Sequence, residues 1–257
     1  MEIIHAVILG IVEGISEFLP ISSTGHLILA SKLLGLAQTD FQKSFSIAIQ
    51  LGAILAVVVL YGQRFLLERK TLINVMAAFV PTAVIGLAFY KPIKHYLLGS
   101  SAVVVWSLLL GGIFMIVFER WHKTKAQVGH SVTDIHWKQA VMIGLVQSLS
   151  IVPGVSRAAA TIFGGLFSGL NRTAAVEFSF LLAVPTMAAA TALDVLKSYK
   201  SFSGTDFSVL AVGMITSFLV AMLSIKFLLN FINKHDFTAF GVYRIVIAVL
   251  FMIFIGI

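Results

Sequence analysis

Long apolar runs alternate with short polar stretches along the chain, and the lengths of the runs carry the first information. A helix that crosses the hydrocarbon core of a bilayer needs about 20 mostly apolar residues. Six runs meet that length, at 42–62, 71–90, 101–119, 174–196, 207–230 and 240–257. Two more stretches, 2–36 and 138–170, are apolar but broken by Pro, Gly, Ser and charged residues. Each reads as helix, tight break, helix, with halves of about 12 to 18 residues, too short to cross and suited to re-entrant hairpins. The pattern predicts an all-α integral membrane protein with six transmembrane helices and two re-entrant helix hairpins. The longest polar stretch, Arg120 to Lys138, lies near the middle.

The two halves resemble each other. Gly10-Ile-Val-Glu13-Gly-Ile-Ser16 aligns with Gly144-Leu-Val-Gln147-Ser-Leu-Ser150. After the loss of one residue, Pro20-Ile-Ser-Ser23 aligns with Pro153-Gly-Val-Ser156, and Phe45-Ser46 follows with Phe178-Ser179 at the same offset. Repeats at 1–133 and 134–257 within a single membrane domain follow, each with one hairpin and three spans. Three is odd, so the second repeat starts on the opposite face of the bilayer. The repeats are expected to be inverted, with their broken helices meeting near the midplane.

Composition agrees with lipid as the main solvent. The chain has 257 residues, of which 59% are hydrophobic and 11% charged, with a mean hydropathy of +1.01. A soluble domain is roughly a quarter charged. Cysteine is absent, which excludes disulfides and thiolate metal sites. The formal net charge of +7 fits an excess of Lys and Arg in cytoplasmic loops. Arg64, Arg69, Lys70, Arg120, Lys123, Lys125, Lys138 and Lys234 stand on one side, and Lys32, Lys43, Lys91, Lys94, Lys197 and Lys200 on the other. That bias puts both termini outside. Met1 to Pro20 lacks a basic leader region and carries Glu13 and Glu17, so no cleavable signal is expected there.

Chemistry gathers at the breaks. Glu13 and Glu17 are four apart and share a helix face. Two carboxylates in a membrane segment are costly to bury. They read as a ligand pair for Mg²⁺ or Ca²⁺ or as a proton-handling pair, against a wet interfacial helix as the plain alternative. Pro20 stops the first half-helix, Ser22, Ser23 or Thr24 can cap the second, and His26 falls in its first turn. In the second break Gly154 permits an unusual backbone angle, Ser156 can cap, and Arg157 begins the next half-helix, followed by Thr161. Helix N-termini bind anions, and Arg offers a fork suited to phosphate oxygens. The set matches a pyrophosphate with a divalent metal. Asp194 and Arg244 lie near span ends, where snorkelling is the default reading, and Glu177 has Arg172 or water as partner.

Glu13-Gly-Ile-Ser-Glu17-Phe-Leu-Pro-Ile-Ser-Ser-Thr-Gly-His26 and Pro153-Gly-Val-Ser-Arg157 resemble the two signature motifs of the bacterial undecaprenyl-diphosphate phosphatases, the bacitracin-resistance family. The similarity extends over the whole chain. It implies the six-span, two-hairpin fold and removal of one phosphate from the C55 carrier lipid diphosphate with Mg²⁺ or Ca²⁺, which recycles the carrier for cell-wall synthesis. It implies a multi-pass protein of the bacterial cytoplasmic (inner) membrane, with lipid as its surroundings, its site facing outward and no nucleic-acid partner. Glu13, Glu17, Ser23, His26, Ser156, Arg157 and Thr161 carry over as site residues. Glu13 and Glu17 are then metal ligands, Glu17, Ser23, His26 and Arg157 catalytic, and Ser22, Thr24, Gly154, Ser156 and Thr161 contacts for substrate. One departure is that Ala158 and Ala159 stand where the family commonly has Ser-Gly. Acid-phosphatase-type lipid phosphatases place a His six residues after the Arg of a Ser-Arg pair, and Phe163 at that position excludes them.

Two functions compete: a lipid diphosphatase, and an inverted-repeat transporter or lipid flippase for an anionic substrate. The Glu pair beside Ser23 and His26 is more than binding needs and favours the first. Ser23 or an activated water is the nucleophile; the reading here takes Ser23, with Glu17 or His26 as base.

Overall fold

The two broken stretches fold as helix pairs, and everything else is arranged around them. The computed structural model describes residues 1–37, 39–97, 100–122, 129–198 and 204–255. Among these, α1 (Ile3–Ser16) and α2 (Ser23–Leu33) form the first pair, followed by α3 (Asp40–Leu67), α4 (Arg69–Tyr96) and α5 (Ser101–His122). The second pair, α6 (Trp137–Gln147) and α7 (Arg157–Phe167), precedes α8 (Arg172–Ser198), α9 (Gly204–Ile232) and α10 (Thr238–Ile255). Lys123, Lys125 and Lys200 lie outside the described residues, as do the side chains of Arg64, Lys91, Lys94, Asp194 and Lys197.

Five helices, α3, α4, α5, α8 and α9, are long and apolar enough to cross a membrane. The sixth expected span is α10, whose described apolar stretch, Thr238–Phe254, is shorter than those five. Only 22% to 50% of each apolar window is buried inside the protein, so the remainder requires an apolar solvent. Leu55, Val59, Val84, Leu110, Val117, Leu219 and Leu223 supply that outward face. The protein is a multi-pass membrane protein.

Packing relates the halves. α1 lies on α9 as α6 lies on α4, while α3 meets α8 and α5 meets α10. Small residues allow these approaches: a Cβ at Gly10 would come 2.7 Å from the Gly213 carbonyl of α9, and one at Gly144 would come 1.9 Å from the Ala78 carbonyl of α4. Close backbone packing through small residues is how helices associate where water gives no hydrophobic drive. The main core, including Phe18, Phe163, Phe178, Phe180 and Ile162, lies directly beside the breaks.

The breaks share one backbone device. Ser22 (φ 73°) and Ser156 (φ 76°) are the two non-glycine residues with positive φ among the described residues, and each is the N-cap of the second half-helix. Both half-helices have 11 residues and end at a left-handed glycine, Gly35 or Gly169. The geometric counterpart of Ser156 is therefore Ser22, and that of Ser23 is Arg157. This corrects the expected pairing of Ser23 with Ser156. A single offset runs from Gly10 and Gly144 to Gly35 and Gly169, and the one-residue difference falls later, before Phe45 and Phe178. Matching Pro20 to Pro153 placed the gap too early, because the two prolines occupy different positions in turns of equal length.

Candidate active site at the two helix breaks

Glu17 leaves the end of α1 with its N–H still bonded to the Glu13 carbonyl at 2.9 Å, so its side chain is fixed by helix geometry although the helix has ended. Its carboxylate joins the two breaks. On one oxygen it accepts a hydrogen bond from the Ser23 hydroxyl. On the other it accepts from Arg157 Nη2 at 2.9 Å, a pair that is nearly buried on both sides. Arg157 Nη2 also faces the Glu17 carbonyl at 3.4 Å, and Nη1 donates to the Ser179 carbonyl at 2.9 Å. The guanidinium sits 5.7 Å from the centre of the Phe18 ring. Thr161 Oγ1 and Ser179 Oγ are 2.5 Å apart, and Thr161 also donates to the Arg157 carbonyl. A hydroxyl that donates to a carboxylate is positioned to pass its proton to it, and the Arg157 pair balances the charge on that carboxylate.

The Arg157 fork is thus engaged by Glu17 and Ser179, and only Nε lacks an acceptor. These bonds orient the guanidinium, and Nε is the one donor left for a further acceptor.

Glu13 is fully buried, and neither of its oxygens has a hydrogen-bond donor. Its charged neighbours are Glu17 and Arg157. An orphaned buried carboxylate next to a second one is a hard-oxygen donor set that a divalent cation fits. Among the described residues no three His, Asp or Glu side chains converge, so protein carboxylates alone do not complete a coordination shell.

His26 lies elsewhere than beside Ser23. Its Nδ1 is 2.8 Å from the Ser22 carbonyl, and its Nε2 is 2.7 Å from the Tyr243 hydroxyl. A carbonyl only accepts, so Nδ1 carries the proton and Nε2 of the neutral ring accepts from Tyr243. His26 is thus bonded to the carbonyl of the left-handed Ser22, and Glu17 is the carboxylate in contact with Ser23. Ser22 makes no side-chain cap bond, whereas Ser156 Oγ accepts from Ala159 N at 3.2 Å. Thr24 is half-buried in the first turn of α2. Gly154 adopts φ +91° against the Val104 carbonyl of α5.

Arg244 overturns the snorkelling expectation. It is fully buried, and its guanidinium bonds to backbone carbonyls on three elements: Pro20 (3.4 Å) in the first break, Gly154 (2.8 Å) and Val155 (3.1 Å) in the second, and Ser107 (2.9 Å) and Leu108 (3.4 Å) on α5. Because α10 starts at Thr238, residue 244 lies more than one turn inside the helix. A lone charge in the run 240–257 was the available signal, since intramembrane charge marks function by default. Tyr243 and Ser179 were also missed; Ser179 stood in the repeated Phe-Ser pair, but nothing local marks a serine as a partner of Arg157. Arg172 pairs with the buried Glu119 at 2.5 Å.

Residues 6–250 match the family described as Bacitracin resistance protein BacA. The chain is 51% identical to an undecaprenyl-diphosphatase of Aquifex aeolicus over 250 residues, covering 97% of each chain. It is 47% identical to one of Wolinella succinogenes over 99% of both chains. It is 48% identical to one of Campylobacter hominis over 99% of this chain and 100% of that one. A motif pair set on two helix breaks, within a match that runs nearly from end to end, makes this chain a member of the bacitracin resistance protein BacA family.

Proposed function

We propose that the protein hydrolyses undecaprenyl diphosphate to the monophosphate and inorganic phosphate. That reaction recycles the carrier lipid for cell-wall synthesis and confers bacitracin resistance. The observation that carries the reading is the Ser23–Glu17–Arg157 chain, which joins both breaks through one carboxylate. Ser23 Oγ attacks the terminal phosphorus while Glu17 takes its proton. The bond from that phosphorus to the bridging oxygen breaks, and prenyl monophosphate leaves. Water then attacks the phosphoserine, the bond from phosphorus to Ser23 Oγ breaks, Glu17 returns its proton to that oxygen, and inorganic phosphate leaves with the protons of the water. Arg157 and the N-termini of α2 and α7 stabilise the phosphoryl charge. Ser22, Thr24, Gly154, Ser156 and Thr161 shape that anion site. His26 acts by fixing the first break.

Glu13 and Glu17 would hold a Mg²⁺ or Ca²⁺, with phosphate and water oxygens filling the remaining positions. The ion would supply charge neutralisation at the phosphoryl oxygens. The orphaned oxygens of Glu13 support this assignment. Removal of divalent metal with a chelator should abolish turnover, and added Mg²⁺ or Ca²⁺ should restore it.

The architecture proposed is six spans and two re-entrant hairpins in inverted repeats within one membrane domain. The reciprocal packing of α1 on α9 and α6 on α4 supports it. The site opens to the outer side of the bacterial inner membrane. The deciding experiment is phosphate release from undecaprenyl diphosphate by purified protein: turnover in wild type and none in Glu17→Gln is expected. Binding or movement of the lipid without phosphate release would favour the flippase.

A further inference from the structure

The Arg244 guanidinium has five N–H groups and five carbonyl contacts, drawn from both breaks and from α5. Among the described residues no carboxylate pairs with it. A fully buried, uncompensated cation is costly, and room for it is made on purpose. A Cβ at Gly111 would lie 2.4 Å from Nη2 and 2.8 Å from Cζ, so a larger residue at 111 would displace the guanidinium from its present bonds. Gly112, next to Gly111 on α5, and Gly241, three residues before Arg244 on α10, let the two helices cross closely, with Cβ positions 2.6 Å and 2.8 Å from each other's carbonyls. That crossing places Arg244 against the carbonyls of Pro20, Gly154 and Val155, which precede the two left-handed serines in the chain.

We propose, on the diphosphatase reading above, that Arg244 is a positioning residue of the active site: it ties the first break to the second through Pro20, Gly154 and Val155, and its charge lies behind both helix N-termini that receive the diphosphate. The reacting groups come from separate breaks: Ser23 and Glu17 belong to the first and Arg157 to the second, and the Glu17–Arg157 pair joins them through side chains only. Arg244 bonds to the backbone of both and uses no atom needed by the substrate. Two effects follow from one side chain. The fork fixes alignment, which matters in the transition state and therefore in kcat. The charge attracts the anionic headgroup and therefore acts on KM.

Substitutions separate the two effects. Arg244→Lys keeps the charge and loses the fork, and kcat should fall about 100-fold with KM within about threefold of wild type. Arg244→Gln loses both, so a comparable fall in kcat should be joined by a KM raised about tenfold. Gly111→Ala leaves the charge and displaces the guanidinium, and should lower kcat about tenfold at unchanged KM. All are measured as phosphate release from undecaprenyl diphosphate in detergent, with the folded fraction taken from size-exclusion chromatography. The inference is overturned if Arg244→Lys keeps kcat within threefold. It is equally overturned if the loss of kcat follows the folded fraction with the same KM in the Lys and Gln variants. Should the Arg244 variants not fold, Gly111→Ala decides, and wild-type kcat there overturns the proposal. A wild-type protein that releases no phosphate would instead overturn the diphosphatase reading, and the positioning role with it.

Discussion

At the scale of single residues, the contacts of Ser23 and Arg157 sharpen what substitutions should do. Ser23 is the first residue of α2 and Ser22 is its N-cap, so replacing Ser23 removes no cap. Its hydroxyl has Glu17 as its partner. Ser23→Ala should therefore lower kcat on the order of 10³-fold or more, as for a lost nucleophile, with little change in stability. Retention of a tenth of wild-type activity would assign the attack to water. Rapid quenching of wild-type turnover should also trap phosphate on Ser23. Arg157→Lys keeps a charge but cannot hold Glu17 and Ser179 together, and activity should fall about 100-fold while the protein stays folded. Near-normal turnover would remove Arg157 from the site. These residues were legible in the sequence because their types and order carry chemistry: two Glu four apart, a Ser-rich break, a Ser-Arg pair. The partners were not. Tyr243 and Ser179 reach the site from α10 and α8 across more than a hundred residues or past a complete half-helix, and a hydroxyl in an apolar span has no local signature. The sequence leaves Glu17 or His26 as the base for Ser23, since His26 is one helical turn on; in the structure the Ser23 hydroxyl meets Glu17. The left-handed Ser22 instead turns its carbonyl toward the ring and takes the imidazole N–H.

At the scale of elements, hydropathy located the helices well and their breaks less well. Run length identified α3, α4, α5, α8 and α9, because a lipid-facing helix must be apolar over its whole length. It assigned Arg244 to a span end, because hydropathy does not say where a helix begins inside an apolar run. The breaks show the opposite limit. Their prolines were visible, yet the alignment based on them was one residue out, since what the turns share is a positive φ at Ser22 and Ser156, which serine identity does not announce. Gly154 offers a test at this scale. It holds φ +91°, and a Cβ would lie 2.7 Å from the Val104 carbonyl. Gly154→Ala should cost about 1–2 kcal/mol from the left-handed conformation alone, read as a lower melting temperature. The strain enters two residues before Ser156 and three before Arg157, so activity should fall further than stability does. An unchanged melting temperature and full activity would mean that the break tolerates a different path and does not set the position of Arg157.

At the scale of the whole molecule, the pairing of halves explains why the site exists where it does. If one repeat is turned over relative to the other, each half-helix N-terminus points back toward the middle of the bilayer, and the two face a common point. One half has Glu13 where the other has Gln147, whose amide is bonded to Thr82 and Thr186, so the buried carboxylate stands in one half while the positive φ is kept in both. Such a site takes an anion whose tail remains in lipid. Burial of a CH₂ from water is worth about 0.8 kcal/mol, but a prenyl tail already in the bilayer gains far less, and its use is to present the headgroup. Inorganic pyrophosphate should therefore be turned over poorly beside a long-chain prenyl diphosphate, and equal specific activity on both would contradict a lipid substrate. The turned-over arrangement has its own test. Ala37 follows α2 and Lys138 is the second residue of α6; both are exposed, and each marks the base of one hairpin. The natural chain has no cysteine, so Ala37→Cys and Lys138→Cys introduce single reactive thiols without background. With three spans between the hairpins, an impermeant maleimide added to intact spheroplasts should label position 37 and leave position 138 untouched until the membrane is opened. Labelling of both in intact spheroplasts would place the hairpins on one face. The N-termini of α2 and α7 would then point in the same direction and could not converge on one phosphate from opposite sides, and the contact between Glu17 and Arg157 would need another topology to account for it.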